Sequence, residues 1–329
     1  MIPVTLLTGF LGAGKTTLLN RLIAACGSER VAVVENEFGA AGIDASLVDP
    51  QAATVVELAN GCICCSVRGE LSAALQDLLQ RRARGELTFS RLFIETTGLA
   101  DPGPVMQTFF WEETLRAHFR LDAVITLVDV CHAAVQLDRE PVAAAQVAYA
   151  DWLLLSKTDL MAADCLIDRL RAINSRAGLV DVNAPGFDWG ALLDTGGFCL
   201  NEAGLPARNI WQPANGARGR YGHGLPRRSW DDAISSLLLE HNGAVDIDAI
   251  SAFVEKLIEN HANDLLRYKG ILAIAGEARR LIFQGVHRIA GFDYGRDWDG
   301  HEVPSSRIVL IGRGLPEADL RAGFRACFA

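Results

Sequence analysis

Residues Gly9 to Thr16 read Gly-Phe-Leu-Gly-Ala-Gly-Lys-Thr, a string with the composition of a phosphate cradle. Its glycines let backbone N–H groups turn inward around a β-phosphate, Lys15 brings a point charge to the β and γ oxygens, and Thr16 offers a hydroxyl to Mg²⁺. Gly9, Gly12, Ala13, Gly14, Lys15, Thr16 and Thr17 are the candidate contacts, and the helix that opens there adds its positive end. The apolar run Val4-Thr5-Leu6-Leu7 before the string and a helix-like stretch after it supply the expected strand–loop–helix setting. Lysine is scarce: among 31 basic residues only four are lysines, Lys15, Lys157, Lys256 and Lys269, and one of them stands in this loop. A chance glycine-rich turn does not account for that setting, so the string reads as a nucleoside triphosphate site.

Ser156-Lys157-Thr158-Asp159 follows the apolar run Trp152 to Leu155. In this pattern a carboxylate, here Asp159, accepts hydrogen bonds from the N1 and N2 donors of guanine, a pair that adenine lacks; the alkyl stem of Lys157 can lie along the base. Leu92-Phe93-Ile94 runs into Glu95-Thr96-Thr97-Gly98, an acid at a strand terminus placed to face Mg²⁺ through water, then a glycine N–H for a γ-phosphate. Glu35 and Glu37 flank Asn36 after another apolar run. In an extended segment both point to one side and can act on an attacking water or a second metal, whereas in a helix they diverge. Which of the two positions the water stays open.

Asn60-Gly61-Cys62-Ile63-Cys64-Cys65-Ser66 places three thiols within four residues. Thiolates suit Zn²⁺ and also hold Co²⁺ or Cu(I). A structural zinc takes four closed protein ligands, so three from one segment point to a transfer site with an open or borrowed position. Glu35, Glu37, His118 and His132 are the candidates for the remaining ligand. The other cysteines, Cys26, Cys131, Cys165, Cys199 and Cys327, stand singly and read as small buried hydrophobes.

These groups need a scaffold. A chain of 329 residues exceeds what one core fills, which predicts two domains. Residues 1–200 alternate short apolar runs with helical periodicity, predicting an α/β, doubly wound, mostly parallel sheet of the P-loop NTPase kind. Its strands are expected near residues 4–8, 31–35, 54–58, 91–95, 123–129, 152–156 and 179–182. Residues 201–228, rich in Gly, Pro, Asn and Arg, read as a linker. Residues 229–329 then read as a smaller α+β C-terminal domain, with strands near 233–239, 271–275, 281–286 and 307–311 and helices at 247–260 and 317–326. The balance of 31 basic against 40 acidic residues gives a net charge of −9, which excludes a general nucleic-acid or anionic-membrane binder. The chain enters its first strand almost at once and has no apolar run of about 18 residues, so the expected compartment is the cytoplasm. There the eight cysteines are expected as thiols or metal ligands rather than disulfides.

Taken in order, the phosphate loop, Asn36-Glu37-Phe38-Gly39, Glu57-Leu58 with Asn60-Gly61-Cys62-Ile63-Cys64-Cys65, Glu95-Thr96-Thr97-Gly98 and Ser156-Lys157-Thr158-Asp159 resemble the CobW-type metal-associated GTPases. Leu266-Arg267-Tyr268-Lys269-Gly270, Phe283-Gln284-Gly285-Val286-His287 and Ile311-Gly312-Arg313 look like that family's C-terminal domain. Ala100-Asp101-Pro102-Gly103-Pro104 and Gln107-Thr108-Phe109-Phe110 are similar to its bacterial YjiA-like members. The resemblance implies a Mg²⁺-dependent GTPase with Lys15, Glu35, Glu37 and Glu95 as its catalytic set. It further implies that Cys62, Cys64, Cys65 and Glu37 hold zinc, cobalt or a similar ion, coupled to the nucleotide state and delivered to a client metalloprotein. The alternative is a nucleotide-gated metal or redox sensor that acts through partner-protein contact. Two departures narrow the implication: the linker holds only His223 where many members are His-rich, and Ala40 stands where some carry an acid. Ser156 also replaces the commoner asparagine of the guanine motif. Client, oligomeric state and native ion are not written in these motifs.

Overall fold

The computed structural model describes residues 1–36, 53–57, 67–197, 234–299 and 301–328. Seven strands, β1 (Ile2–Gly9), β2 (Val31–Asn36), β3 (Ala53–Glu57), β4 (Arg91–Thr96), β5 (Phe119–Asp129), β6 (Trp152–Ser156) and β7 (Gly178–Asp181), form one sheet in the order β3-β2-β4-β1-β5-β6-β7. Every pairing in it is parallel. Parallel sheets are covered on both faces, and β4 is accordingly buried along its whole length. Helices α1 (Lys15–Ala25), α2 (Val67–Ala83), α3 (Pro102–Trp111), α4 (Glu113–His118), α5 (Ala133–Arg139), α6 (Pro141–Tyr149) and α7 (Asp164–Ile173) provide the cover. Strand alternation divides the apolar residues between the two layers. Leu7, Val33 and Phe93 pack with Leu18, Leu19 and Leu22 of α1. Leu6, Val34 and Ile94 pack on the other side with Leu75 of α2, Met106 of α3 and Val147 of α6. The doubly wound sheet expected from the sequence is therefore present.

A second sheet follows, of β8 (Ile234–Asn242), β9 (Leu265–Ala273), β10 (Arg279–Val286), β11 (Ile289–Asp297) and β12 (Ser305–Arg313). Its order is β11-β10-β9-β12-β8, antiparallel throughout. Helices α8 (Ile247–His261) and α9 (Glu317–Ala326) cover one face through Ile250, Val254, Leu320 and Phe324. Asp246 caps α8 by accepting from the Asp248 and Ala249 N–H groups. The other face, through Leu266, Val286, Val309 and Ile311, joins the apolar layer of the first domain.

Two differences from the sequence reading have physical causes. The strand expected near 271–275 begins at Leu265, because Arg267 and Lys269 break its apolar pattern while serving the domain junction. Arg267 donates to the Tyr149 carbonyl and to Asp151, each at 2.5 Å, and Lys269 donates to the Gly197 carbonyl at 2.9 Å. Strand β11 had no counterpart in the reading: it is an edge strand, with Phe292, Asp293 and Tyr294 exposed in a run that offers no buried alternation. Among the described residues no helix is long and apolar enough to cross a membrane, and Cys26, Cys131, Cys165 and Cys327 are free thiols. Burial pushes the Cys26 thiol up to about 11, which keeps it protonated and unreactive near neutrality.

Candidate nucleotide site

Loop geometry explains the glycines of the phosphate string. Gly9 has φ +136°, and a Cβ there would stand 2.4 Å from the Leu127 carbonyl oxygen of the neighbouring β5. Gly14, at φ +100°, is the left-handed residue from which α1 departs, with no side chain capping the helix start and no acid in its first turn. A bare helix N-terminus of this kind presents N–H groups to an anion. Lys15 opens the helix, and its ammonium lies back across the loop, 3.4 Å from the Phe10 carbonyl.

On one side of this loop Thr16 donates to Glu95 Oε1 at 3.4 Å. Glu95 is the penultimate residue of β4 and is 8% exposed. Glu35 of β2 is its register partner and is 5% exposed, and Glu57 of β3 is in turn the register partner of Glu35. Three carboxylate-bearing positions thus share one row at the carboxyl ends of adjacent strands, where ligands of such sheets gather. A hydroxyl and a carboxylate oxygen are the donors a hard ion such as Mg²⁺ takes, and Thr16 with Glu95 fits it. Beyond β4 the turn at Gly98 presses on the loop itself, since a Cβ on Gly98 would lie 2.4 Å from the Leu11 nitrogen. Gln146 of α6 fixes that turn, donating to the carbonyls of Gly98 and Ala100 at 3.1 Å each.

On the other side Ser156, at the end of β6, donates to the carbonyls of Ala13 and Val128 at 3.2 and 3.3 Å. Lys157 adopts the left-handed conformation, φ +61°, and its ammonium reaches the Gly12 carbonyl at 3.2 Å and Asp129 at 2.6 Å. Burial raises the affinity of Asp129 for a proton, but hydrogen bonds from Lys157, His132 and the Cys131 N–H outweigh it and hold the carboxyl below its ordinary range. Asp159 accepts from Asn183 at 2.9 Å, and Thr158 donates to Asp181 at 2.8 Å. The Asp159 carboxylate is therefore oriented by Asn183, which follows β7 on a segment tied into the same end of the sheet.

Glu37, Cys62, Cys64 and Cys65 lie outside the described residues, as does the expected linker 201–228. Among the described residues no three His, Cys, Asp or Glu side chains gather as metal ligands. Two of the candidate extra ligands, His118 and His132, lie among the described residues. His118 precedes β5, at the end of the parallel sheet opposite the phosphate loop, and its Nδ1 meets the Thr114 carbonyl at 2.9 Å. His132 is at the nucleotide end but spends Nδ1 on Asp129 at 2.8 Å, and β5 and β3 are separated in the sheet by β1, β4 and β2. Asp129, Gln146, Asp181 and Asn183 were not singled out from sequence. Asp129 carried a signal, an acid closing an expected strand just as Glu95 does; a glutamine inside an alanine-rich helix carried none.

A doubly wound parallel sheet with a glycine cradle at the carboxyl end of its first strand and two flanking strand-end clamps defines a nucleotide-binding protein of the P-loop class. The model of the nucleotide-binding domain of CobW, HypB and UreG matches residues 3–180, and that of the cobalamin synthesis protein CobW C-terminal domain matches residues 234–328. The chain belongs to the CobW family. The zinc chaperone YjiA of Escherichia coli K12 is 45% identical to it over 98% of each chain. The zinc chaperone CobW of Pseudomonas aeruginosa is 32% identical over 100% of this chain and 92% of its own. The crystal structure of Zn(II)-bound YjiA GTPase from E. coli matches with a TM-score of 0.77 at 40% identity, covering 100% of this chain and 99% of that one.

Proposed function

We propose that this protein is a Mg²⁺-dependent GTPase that carries zinc, with cobalt as the alternative ion, and couples GTP hydrolysis to its delivery to a client metalloprotein. The observation that carries the reading is the register row of Glu57, Glu35 and Glu95. β3 leads within five residues to Cys62, β2 leads directly to Glu37, and β4 carries Glu95 beside Thr16. The roots of the metal segment and the phosphate machinery therefore rise from one edge of one sheet. The zinc-chaperone names of near full-length relatives support the same reading.

Each group has a role in this scheme. Lys15 and the loop N–H groups of Gly12, Ala13 and Gly14 neutralise phosphate oxygens, with Gly9 setting the strand exit and Thr17 following Thr16 in the first helical turn. Thr16 and Glu95 would hold Mg²⁺, which when bound neutralises charge between the β and γ oxygens. Glu35 or Glu37 orients the water that attacks the γ-phosphorus as GDP leaves. The Gly98 N–H meets the γ-phosphate, Asp159 reads guanine and Lys157 braces the base side. Cys62, Cys64 and Cys65, with Glu37, bind the cargo ion. No nucleic acid or membrane takes part, and a soluble cytoplasmic setting fits this role.

The test pairs two variants in reducing buffer. Cys64→Ala is expected to lose high-affinity zinc while GTP affinity stays within about twofold, and Lys15→Ala to lose hydrolysis by about 10²-fold or more while zinc stoichiometry is kept. Unchanged zinc binding in Cys64→Ala contradicts the cysteine site. A client that is bound but receives no zinc during GTP turnover contradicts delivery and favours a sensor.

A further inference from the structure

Helix α6 carries two side chains whose contacts run in opposite directions. Gln146 is 1% exposed and sends its amide to the carbonyls of Gly98 and Ala100. Its own backbone carbonyl accepts from Thr126 at 2.8 Å, so the residue is pinned to β5 as well. Three residues on, and so on the same face of the helix, Tyr149 is fully buried with its hydroxyl 2.6 Å from His287 Nε2. His287 belongs to the β10–β11 turn and has φ +51°. The same hydroxyl lies 2.7 Å from where a Cβ on Gly103 would stand, and the Gly103 N–H is held by Asp101 at 2.8 Å. Residues 98–103 thus meet α6 at two points one turn apart.

The carboxyl end of α6 is fixed just as firmly. Asn174 donates to the carbonyls of Val147, Ala148 and Ala150 at 2.9, 3.2 and 2.9 Å. Arg267 of β9 takes the Tyr149 carbonyl and Asp151, while the other Asp151 oxygen accepts the Val124 N–H at 2.9 Å. A buried amide that loses its acceptors is costly, so the turn cannot move without either leaving Gln146 unpaired or drawing α6 with it. A helix tied at its end to β9 and to the β10–β11 turn then carries those strands.

We propose that Gln146 is the positioning residue for the turn that meets the γ-phosphate, and that α6 couples this turn to the C-terminal sheet through Tyr149, His287 and Arg267. Nucleotide state and the seating of the second sheet are then linked, and linkage makes the effect reciprocal. This rests on the reading that Gly98 faces the γ-phosphate.

The experiment uses the full chain with GDP and with a non-hydrolysable GTP analogue, following amide hydrogen exchange alongside steady-state hydrolysis. In the wild type, residues 97–101, β9 and residues 286–289 are expected to exchange differently in the two states. Gln146→Met, close in volume but without donors, is expected to keep GDP affinity within about twofold, lower kcat about tenfold and erase the difference at 286–289. Tyr149→Phe removes only the hydroxyl; it is expected to keep kcat within about twofold and lose the difference at 286–289 while retaining it at 97–101. The proposal is overturned if Gln146→Met leaves kcat and both exchange differences intact, or if Tyr149→Phe keeps the difference at 286–289. Wild-type exchange at 97–101 that ignores the nucleotide overturns the γ-phosphate reading together with the inference. A response at 97–101 without one at β9 or 286–289 overturns the inference alone.

Discussion

Lys157 spends one ammonium on two acceptors that no other described side chain brings together, the Gly12 carbonyl of the phosphate loop and the Asp129 carboxylate at the end of β5. A compact group with three donors on a flexible stem suits that bridge better than a planar guanidinium, which accounts for a lysine here in a chain that otherwise prefers arginine. The depressed proton affinity of Asp129 gives the bridge a defined pH dependence. A carboxyl lowered in the folded state contributes stability that is complete above the ordinary carboxylate value of about 3.9 and is lost as the pH falls through the depressed one. Asp129→Asn is therefore expected to lower the thermal midpoint at pH 7, and the gap to wild type should narrow as the pH falls below about 4. A gap that stays constant across unfolding scans from pH 7 to pH 3 contradicts a charged clamp. At this scale the sequence was most legible where residue types are rare or their spacing rigid: Lys15, Thr16, Lys157 and Asp159 could be singled out because few physical arrangements need that string. Asn183 could not, because one amide after a strand has many uses.

The elements carry these side chains to one place because every strand of the first sheet runs parallel and ends on the side of the phosphate loop. Seven apolar runs read from the sequence correspond to its seven strands, since strands buried on both faces show as continuous hydrophobic stretches. What stayed illegible was structure built by contact rather than by pattern. Strand β11 is half-exposed at an edge, and α6 is buried nearly all round, so neither shows amphipathic periodicity. The Gly98 turn is the clearest case of an element set by proximity. Its backbone is so near Leu11 that a methyl group has nowhere to go except by moving main chain. Gly98→Ala is expected to displace loop or turn and lower kcat/KM for GTP by about 10²-fold, while Gly291→Ala on β11, with no neighbour within 4 Å of its Cβ, changes kcat/KM less than about twofold. Equal kcat/KM for Gly98→Ala and wild type shows that the turn is not part of the triphosphate site.

In the proposed scheme the fold joins three compartments across the whole molecule: a base clamp on β5 and β6, a Mg²⁺ and γ-phosphate side on β1 and β4, and strands β2 and β3 that feed the metal segment. The second sheet packs against the first domain through Arg267, Lys269 and an apolar face. The two-part organisation was legible because the chain is too long for one core and changes character after the parallel sheet. The junction was not, because Arg267 and Lys269 read as solvated charges until their partners were in place. A carrier of this design releases its ion because hydrolysis changes the protein that holds it, so metal affinity must differ between nucleotide states. The direct measurement is zinc and cobalt affinity by competition with a chromophoric chelator, in reducing buffer, first with GDP and then with a non-hydrolysable GTP analogue. A shift above about tenfold, or ~1.4 kcal/mol of coupling, is the predicted result. Equal affinities in the two states would contradict a metal site governed by the γ-phosphate.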